Sequence, residues 1–580
     1  MNAEKYFSTP HTIAQKQYDA LRLYFLDNLP AVEVAKKYGY TYRGFTTIVS
    51  DFRKKLKQFP EEDPFFTVKP KGRKPGNEMN KLKKTVIDFR KKNYSVGDIK
   101  VALDGKGVAV SEKAIYNILK ADGFSRLPRR STVDRRQLER PTLQAAKSRS
   151  LDFQAEDFKS SAAGILVFLP YLEHYGIRHA IEASDYPETK TINRLSSILS
   201  FLALKASSIA RYSADDLWCM DRGVGLFAGL NVLPKASWYT SYSHRVTAKM
   251  NRTFLSALHQ IWVKEGLLGD TVNMDFTTIP YWGDATHLEN NWSGKRGKAL
   301  ASMLAVLAHD PDTGVIDYGN TDVKHENESD TVLEFLDFYK QGSSQTKKLN
   351  YLVFDSKFTN YENLNKLDKD GIRFLTIRRR GKRLIERLNS VPKKEWKTIR
   401  VAASGNKKRT LKVLDEQTTL QGYDGTIRQV CITGHGRVKP AIIITNEKDL
   451  KVEQVVRKYA RRWLVEKGIS EQIEFFHLNR VSSSMVIKVD FDLVMSILTH
   501  NLYRLFATEM ERYSSYSDRS IYQKLIQNGA DIKIQNHNIV VQLKKKRNLP
   551  LILEKMSQFE TIKYPWLAGK SLQFEGATYS

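Results

Sequence analysis

The segment TVNMDFTTIPYW, Thr271–Trp282, decides the fold of the second half of this chain. Upstream of it the apolar residues recur at helical intervals, whereas here they form a run typical of a β-strand, with Asp275 at its middle. A second apolar run, LNYLVFDSKFT, Leu349–Thr359, reaches Asp355 and is near-continuous, as in strands that are buried on both faces of a sheet. Each of these two strands therefore carries a carboxylate.

The residues between these runs predict the rest of a sheet. ALASMLAVLAHD and GVIDYGNTDV predict two more strands, joined by the turn DPDTG, and DTVLEFLDFYKQ predicts an amphipathic helix. Three strands, a helix and a further strand ending in Asp355 match the order of the ribonuclease H-like fold.

A third carboxylate, Glu466, lies in a helical pattern, YARRWLVE, at Tyr459–Glu466. Two carboxylates on strands and one on a later helix can converge on one point. Hard oxygen ligands of this kind hold Mg²⁺, and two ions about 4 Å apart can activate one oxygen of a phosphodiester reaction and stabilise the leaving oxygen. The pattern predicts an enzyme that cuts and joins DNA, with Asp275, Asp355 and Glu466 as ligands of Mg²⁺, or alternatively Mn²⁺.

The charge of the chain agrees with a nucleic-acid partner. Its 580 residues include 93 Lys and Arg against 64 Asp and Glu, a formal net charge of +29, and the pI is about 9.7. Neutralising phosphates and releasing their counterions favours such an excess. A basic surface that serves only solubility, or association with ribosomes or membranes, is the alternative. The length predicts three or more domains.

Cysteine usage and hydropathy predict an intracellular protein. Cys219 and Cys431 are the two cysteines, without zinc-ligand or disulfide spacing, as is typical of a reducing cytosol. The start, MNAEKYFSTPHTIAQK, has no apolar core of a signal peptide. The longest apolar stretches fall short of the ~20 residues that a membrane helix needs. We expect a cytoplasmic protein, associated with the bacterial nucleoid and without a membrane partner.

Residues 12–57 contain three helical patterns with short breaks. Pro30 suits the start of the second helix, Gly39 suits its end, and Thr41 suits the cap of the third. This order is that of a helix-turn-helix module. An ordinary small helical bundle with a basic last helix is the alternative. In the DNA-binding interpretation, the residues that face the major groove include Tyr42, Arg43, Thr46 and Thr47.

A second module follows the same plan. It comprises KLKKTVIDFRKKN, SVGDIKVALDGKG and VSEKAIYNILKADGF, with Ser111 as the cap of its last helix. Two such modules in tandem would recognise a longer DNA site than one. The segment VKPKGRKPGNE between them is a linker. Arg73 and Lys74 within it would bind a minor groove, as short basic arms do, or would belong to a solvated spacer.

The carboxylates and their surroundings resemble the DDE transposases of bacterial insertion sequences, in the branch with a Tyr-x-x-Arg-x-x-x-Glu helix. The resemblance covers about residues 270–510. It rests on MDFTTIPYWG and LVFDSKFT for the aspartates, and on YARRWLVE for Tyr459, Arg462 and Glu466. The branch has a β-rich insertion before the glutamate. Residues 371–446 fit it with the strand-like stretches FLTIRRRGKRL, KTIRVAAS, RTLKVLDE, IRQVCITGHG and PAIIITNE.

Helix geometry supports the last motif independently. At 100° per residue, Tyr459, Arg462 and Glu466 fall within about 60° of one another on one helix face. A carboxylate, a guanidinium and a phenol on one face suit a metal site beside a phosphate clamp. Tyr459 and Arg462 are therefore catalytic candidates. A surface salt bridge between Arg462 and Glu466 is the alternative.

The chain departs from this branch at one position. The branch usually has a lysine seven residues after the glutamate, where this chain has Ile473. The segment IEFFHLNR makes Glu474 a rival third carboxylate, and His477 or Arg480 a replacement for the lysine. We favour Glu466, because only Glu466 has the tyrosine and arginine at the expected offsets.

Some other polar residues are weaker candidates. Asp284, His287 and Glu289 could form a separate metal cluster but are more typical of a loop near the site. Trp292 could stack on an unpaired base, although a core tryptophan is the commoner case. His325 has no pattern around it and is interpreted as a loop residue.

A basic run lies within the expected insertion. Arg378, Arg379 and Arg380, with Lys382 and Arg383, enter a strand-rich segment between two catalytic candidates in sequence. A run of this density usually contacts phosphates. The run therefore predicts DNA contact, with a solvated loop as the alternative.

The chain is therefore expected to be a multidomain protein, in which all-α helix-turn-helix modules precede an α/β ribonuclease H-like core that a β-rich insertion interrupts. The expected divisions are helix-turn-helix modules at 1–66 and 79–128, a linker and helical region at 129–265, core segments at 266–370 and 447–510, the insertion at 371–446 and a C-terminal region at 511–580. We expect a cut-and-paste transposase that binds the terminal inverted repeats of its element, as a homodimer in the DNA complex. A ribonuclease H-like nuclease, or a catalytically silent DNA-binding protein on a transposase scaffold, is the alternative.

Overall fold

The computed structural model of this chain describes residues 9–58, 65, 77–92, 94–124, 153–209, 218–280, 288–293, 297–342, 349–402, 408–436, 439–478 and 486–577. The chain divides into two units, residues 1–140 and 141–580. Within the described residues, no helix has the length and apolarity needed to cross a membrane.

The first unit contains two groups of three helices in its described part. The helices are α1 Ile13–Phe25, α2 Ala31–Lys37, α3 Tyr42–Gln58, α4 Asn77–Lys91, α5 Val96–Asp104 and α6 Glu112–Ala121. Each group packs around its own apolar cluster, centred on Leu21, Val34 and Phe45 in the first and on Val86, Ile99 and Ile115 in the second. Two small cores of this kind agree with the two expected helical groups.

The expected caps form at the helix ends. The Thr41 hydroxyl accepts a hydrogen bond from the Gly44 amide at 3.1 Å, and Ser111 accepts one from Ala114 at 3.2 Å. Gly39 follows α2 with φ +66°, a conformation that favours glycine. Local sequence chemistry therefore sets the breaks that separate these helices.

The second unit begins with a strand and a helical region. Its elements up to residue 264 are β1 Glu156–Ser160, α7 Leu169–His174, α8 Ile177–Ala183, α9 Arg194–Ala206, α10 Arg222–Phe227, α11 Ala236–Ser243 and α12 Ala248–Lys264. Nearly every side chain of α9 is buried, so this helix lies inside the main core rather than on its surface.

Ten described strands then form one sheet that carries the candidate site. They are β2 Thr271–Pro280, β3 Asn290–Ser293, β4 Lys298–His309, β5 Ile316–Val323, β6 Tyr351–Val353, β7 Arg373–Ile377, β8 Lys397–Ala402, β9 Lys408–Thr419, β10 Thr426–Thr433 and β11 Ala441–Thr445. The order is β3-β4-β2-β6-β7-β11-β10-β9-β8, and β5 also pairs with β4. Strands β2, β6 and β7 are parallel to one another.

Helices cover both faces of the central strands. The helices after β5 are α13 Thr331–Gly342, α14 Tyr361–Lys369, α15 Lys382–Ser390, α16 Val452–Phe475 and α17 Val486–Glu509. Alternate residues of β2 and β6, such as Met274 and Leu352, belong to the main core. The intervening residues of β6, with Val455 and Tyr459 of α16, form a second cluster on the opposite face. Helix α16 therefore packs on the sheet face that also carries Asp275 and Asp355.

The described part of residues 371–446 extends this sheet through β7, β8, β9, β10 and β11. Their first strand, β7, pairs in parallel with β6, and β11 pairs antiparallel with β7. The strand expected over FLTIRRRGKRL ends at Ile377, and its second half is wrong, because Lys382–Ser390 is a helix. Leu384 and Leu388 recur at a helical interval and pack against Cys431 and Ile442.

A second sheet was not expected from the sequence. Its strands are β1, β12 Ala530–Ile534, β13 Asn538–Leu543, β14 Lys563–Tyr564 and β15 Lys570–Gly576, in the order β1-β12-β13-β15-β14. The helices α18 Asp518–Ile521 and α19 Leu549–Met556 lie between these strands in sequence. Strand β1 pairs antiparallel with β12, with Glu156 opposite Ile534. The C-terminal region is thereby joined to the start of the second unit.

Candidate active site

Sheet register brings the two aspartates together. Strand β2 pairs in parallel with β6, with Thr271 opposite Tyr351 and Asn273 opposite Val353. Asp275 and Asp355 each follow the last of these pairs by two residues. Neighbouring strands are about 4.8 Å apart and side chains alternate between faces. Asp275 therefore lies on the same face of β2 as Thr271 and Asn273, and Asp355 lies in the loop that continues directly from the neighbouring strand.

The loop that carries Asp355 is fixed by hydrogen bonds. The Lys357 amide donates to the Asp355 carboxylate at 2.7 Å, and the Thr376 hydroxyl donates to the Asp355 carbonyl oxygen at 3.1 Å. Thr359 and Thr376 share a further hydroxyl–hydroxyl bond of 2.7 Å. Three short contacts thus hold the carboxylate at the end of β6 and join its loop to β7.

An aromatic pair ties this loop to β2. The rings of Phe276 and Phe358 stack with centroids 3.9 Å apart and an interplanar angle of 8°. Phe276 follows Asp275 directly, and its amide donates to the Asp275 carboxylate at 2.9 Å. The stack therefore restrains both aspartates. The aromatic spacing that produces it was not recognised in the sequence.

Helix α16 places a guanidinium against the first aspartate. A guanidinium nitrogen of Arg462 lies 3.2 Å from a carboxylate oxygen of Asp275, and the two residues are only 5% and 7% exposed. The pair is buried, so removing either partner would take away an opposite charge that stabilises the other. Arg462 thus has a partner on the sheet, whereas the alternative interpretation paired it only with Glu466 on the same helix.

Tyr459 lies one turn before Arg462 and near both aspartates. The pKa of its phenol is raised to about 12, and burial is the largest cause. Asp355 and Asp275 contribute to the rise, whereas the charge of Arg462 and its hydrogen bond oppose it. The phenol is therefore neutral at physiological pH and can donate a hydrogen bond. Tyr459 is therefore close enough to Arg462 and to both carboxylates for their charges to affect its pKa.

Two neighbours of these residues, Lys458 and Arg461, anchor α16 to the sheet. The Lys458 ammonium donates to the Thr271 hydroxyl at 2.7 Å and lies 3.9 Å from the centroid of the Tyr351 ring. Burial lowers the pKa of this amine. Arg461 donates to Asp312 at 2.5 Å, in the turn between β4 and β5. These contacts fix how α16 crosses β2, and hence where Arg462 lies.

Two buried polar side chains lie on the same sheet face. Asn273 and His309 are opposite one another on β2 and β4 and are 0% and 1% exposed. Burial lowers the pKa of His309 to about 3, and the charge of Arg462 contributes to the shift. The imidazole is therefore neutral. Neither residue was singled out in the sequence, because both lie inside apolar strands.

For Glu466, the expected third carboxylate, the structure describes only the backbone. Glu466 lies on α16, one turn after Arg462, and its side chain is outside the described residues. The rival Glu474 lies at the end of the same helix. His477 contacts the carbonyl oxygen of Ser208 at 3.0 Å, whereas Arg480 is outside the described residues.

The carboxylates suit a hard divalent cation. Asp275 and Asp355 supply oxygen atoms from adjacent strands, and each accepts one backbone amide that orients it. Among the described side chains, no group of three or more His, Cys, Asp and Glu residues is arranged to hold a metal. The side chain of Glu466, the expected third ligand, lies outside that part.

The expected DNA-binding residues of the first unit lie on α3. Tyr42 is 55% exposed, and Arg43 and Thr47 are exposed as well, whereas Thr46 is half-buried. The hydroxyls of Thr46 and Thr47 each donate to the Arg43 carbonyl oxygen at 2.9 Å. Arg43 therefore presents the charged group of this face. Arg73 and Lys74 lie outside the described residues.

The three arginines after β7 differ in their surroundings. Arg378 donates to the Gln429 side chain at 2.5 Å, and Arg380 donates to the Pro440 carbonyl oxygen at 3.0 Å. Arg379 is exposed, and no hydrogen bond or ion pair links its side chain to another described residue. The charge of Arg379 is therefore the most available of the three.

Two residues near β3 have surroundings that the sequence did not suggest. Trp292 is 63% exposed, so the interpretation as a core tryptophan is wrong. Glu289 accepts a hydrogen bond from the His325 amide at 2.8 Å, and the His325 ring contacts the Asn291 side chain at 2.9 Å. His325 is thus part of a polar network. Asp284 and His287 are outside the described residues.

Comparison with known proteins gives one family match. Residues 270–502 match the family described as Transposase DDE domain. Asp275, Asp355, Tyr459 and Arg462 all lie in this segment, so the match supports a DDE transposase domain that contains the site. The matched segment is less than half of the chain.

A similar solved structure was also found. It is a cryo-EM structure of a piggyBac transposase synaptic complex with hairpin DNA, with a TM-score of 0.33 and 10% sequence identity. The similarity covers 64% of this chain and 82% of that one. No curated protein matches the chain.

Proposed function

We propose that this protein is a DDE transposase that cuts and joins DNA at Asp275, Asp355 and Glu466 with Mg²⁺ or Mn²⁺. The observation that carries the proposal is the β2–β6 register, which pairs Asn273 with Val353, two residues before Asp275 and Asp355, in the segment that matches the transposase domain. The strand order β5-β4-β2-β6-β7, with three parallel strands, supports a ribonuclease H-like core.

Each residue of the site has a role in this proposal. Asp275 and Asp355 would hold the metal ions, which supply the charge stabilisation for attack by water or a 3′-hydroxyl on a phosphodiester. Arg462 orients the Asp275 carboxylate through their 3.2 Å contact. The neutral Tyr459 phenol accepts a hydrogen bond from Arg462 near the carboxylates, and the Phe276–Phe358 stack keeps both strands in place.

Helix geometry favours Glu466 over Glu474 as the third ligand. Helix α16 is continuous from Val452 to Phe475. At 1.5 Å per residue, Glu466 lies about 6 Å along the axis from Arg462, and Glu474 about 18 Å. Because Arg462 contacts Asp275, only the nearer glutamate is within the reach of a shared metal site.

The proposal is tested by the reaction itself. The full chain is incubated with a plasmid that carries the inverted repeats flanking its gene, with Mg²⁺ or with EDTA. We expect nicking and then joining at the repeat ends, and neither reaction in EDTA. Specific binding without nicking would instead favour a silent DNA-binding protein, and nicking without joining would favour a nuclease.

The helical groups of the first unit are proposed to be helix-turn-helix modules that bind the inverted repeats, and the transposase is proposed to act there as a homodimer. The two separate apolar cores and the exposed Arg43 on α3 support DNA binding. The basic linker with Arg73 and Lys74 would add contacts in a minor groove.

Replacing Arg43 by alanine is expected to reduce the preference for repeat DNA over random DNA. A bidentate contact to a base edge is worth about 1–3 kcal/mol of discrimination, so the preference should fall roughly tenfold. The matched control is Lys55→Ala, which removes one charge in the last turn of the same helix. Gel-shift titrations with both DNAs measure the ratio. An unchanged ratio for Arg43→Ala would exclude base reading by this residue.

A further inference from the structure

Two cavities adjoin the loop that carries Asp355. The first, here called the arginine cavity, has a volume of about 680 Å³, and its lining includes Ser356, Arg379, Lys382 and Lys439. The second, here called the histidine cavity, has a volume of about 430 Å³ and is lined in part by His325, Lys357 and Arg379. The two cavities share Arg379, and consecutive residues, Ser356 and Lys357, line one each. They therefore adjoin at Arg379, next to the loop that carries Asp355, and together are here called the Arg379 groove.

The charge of the arginine cavity favours a polyanion. Five cationic side chains line it against one acidic side chain, Glu386. Two of the five, Arg378 and Arg380, are hydrogen-bonded within the protein, but their charges remain in the wall. A concave wall with one sign of charge concentrates oppositely charged ligands. The cavity is also larger than a single phosphate ion needs, and a second cavity adjoins it at Arg379.

The charged groups of the histidine cavity are paired with one another. The Lys357 ammonium lies 3.4 Å from the Glu328 carboxylate, and Glu328 is also within 4.0 Å of the His325 ring. The Lys357 amide binds the Asp355 carboxylate. A ligand in this cavity would thus contact the same residue that orients Asp355.

We propose that the Arg379 groove binds the phosphodiester backbone of the DNA strand that reacts at Asp355. Arg379 is the central contact, because it lines both cavities and its side chain has no partner among the described residues. The proposal rests on the proposed transposase function for the identity of the polyanion. It assigns a distinct role to each arginine of the basic run: Arg378 and Arg380 shape the wall, and Arg379 contacts the phosphate.

The kinetic test compares Arg379→Ala with Arg400→Ala. Arg400 is an exposed residue of β8, the last strand at the far end of the sheet, and does not line either cavity. We expect Arg379→Ala to raise the KM for DNA about tenfold with little change in kcat, since a charged hydrogen bond is lost. The slope of the logarithm of the binding constant against the logarithm of the salt concentration should decrease by about 1, as expected for the loss of one phosphate contact. Arg379→Lys should recover most of the loss.

Measuring cleavage and joining separately shows which DNA strand the groove binds. A raised KM in cleavage identifies the strand of the element's end, and a raised KM only in joining identifies the target strand. Equal behaviour of Arg379→Ala and Arg400→Ala in both reactions would overturn the groove. Thermal unfolding of both variants checks that the fold is unchanged.

A binding experiment tests the groove independently of the cleavage activity. In EDTA, an end oligonucleotide with 5-iododeoxyuridine beside the cleavage point is photocrosslinked to the full chain, and the crosslinked peptides are identified. We expect crosslinks to peptides that line the groove, reduced by Arg379→Ala and not by Arg400→Ala. If the wild type crosslinks in this way but does not cut DNA, the proposed function fails and the groove stands. Crosslinks that do not include the groove contradict it.

Discussion

Replacing Asp355 by asparagine is expected to abolish both DNA cleavage and joining, by roughly a thousandfold or more. The metal ions supply several kcal/mol of transition-state stabilisation, and each 1.36 kcal/mol is a factor of ten in rate. Asparagine has nearly the same shape and keeps one oxygen for the Lys357 amide, so the loop should stay in place. Binding of repeat DNA should be unchanged, because the proposed binding modules lie in the first unit. Cleavage of a plasmid with the flanking repeats is the measurement.

Asp424→Asn is the matched control for this change. It removes the same charge from an exposed side chain near β9 that does not belong to the site. Asp355 is also a better choice than Asp275. Because Asp275 compensates the buried guanidinium of Arg462, its loss would reduce stability as well as activity. Near-wild-type cleavage by Asp355→Asn would remove this residue from the metal site.

Replacing Glu466 by glutamine should have an effect of the same size, whereas Glu474→Gln should be close to neutral. Both changes remove one charge from α16, so the pair separates the loss of a ligand from the loss of charge. The expected difference follows from the helix rise, which puts Glu474 about 12 Å further from Arg462 than Glu466 is. Single-turnover nicking rates with saturating DNA measure it.

The reverse result has a clear meaning. If Glu474→Gln is inactive and Glu466→Gln is active, α16 must be arranged differently around the metal site from the way its axis indicates. If both variants cut DNA normally, the third ligand lies on another element and the Tyr459–Arg462–Glu466 motif is structural.

Local pattern was sufficient for the strands and helices that surround the site. The apolar runs around Asp275 and Asp355 became β2 and β6, and the caps at Thr41 and Ser111 formed as expected. These elements depend on residues close in sequence. The Tyr459–Arg462 spacing was informative for the same reason, because a helix fixes which residues share a face.

Contacts between distant segments could not be predicted. Pairing of β1 with β12 depends on two strands far apart in sequence, and neither has a long apolar run. The contact between Arg462 and Asp275 depends on how α16 crosses β2, which Lys458 and Arg461 fix through partners elsewhere. Helix α15 was missed because a basic run that continues directly from a strand conceals a short amphipathic pattern.

The exposure of single side chains was equally inaccessible from the pattern. Trp292 lies on β3, at an edge of the sheet, and its ring is therefore exposed. The sequence pattern does not show which strand forms that edge. Likewise, the three adjacent arginines were equivalent in sequence. Only the positions of Gln429 and Pro440 distinguish Arg378 and Arg380 from Arg379.

The metal preference of an Asp355→Cys variant tests the central claim most directly, namely that Asp355 is a ligand of the ion that drives DNA cleavage. A thiolate is a poor ligand for Mg²⁺ and a better one for softer transition-metal ions such as Mn²⁺. Cleavage rates are measured for the wild type and the variant in each ion. The account predicts that the ratio of the rate in Mn²⁺ to the rate in Mg²⁺ is at least about tenfold higher for the variant than for the wild type. An equal ratio in the two proteins would show that Asp355 does not bind the metal and would contradict the account.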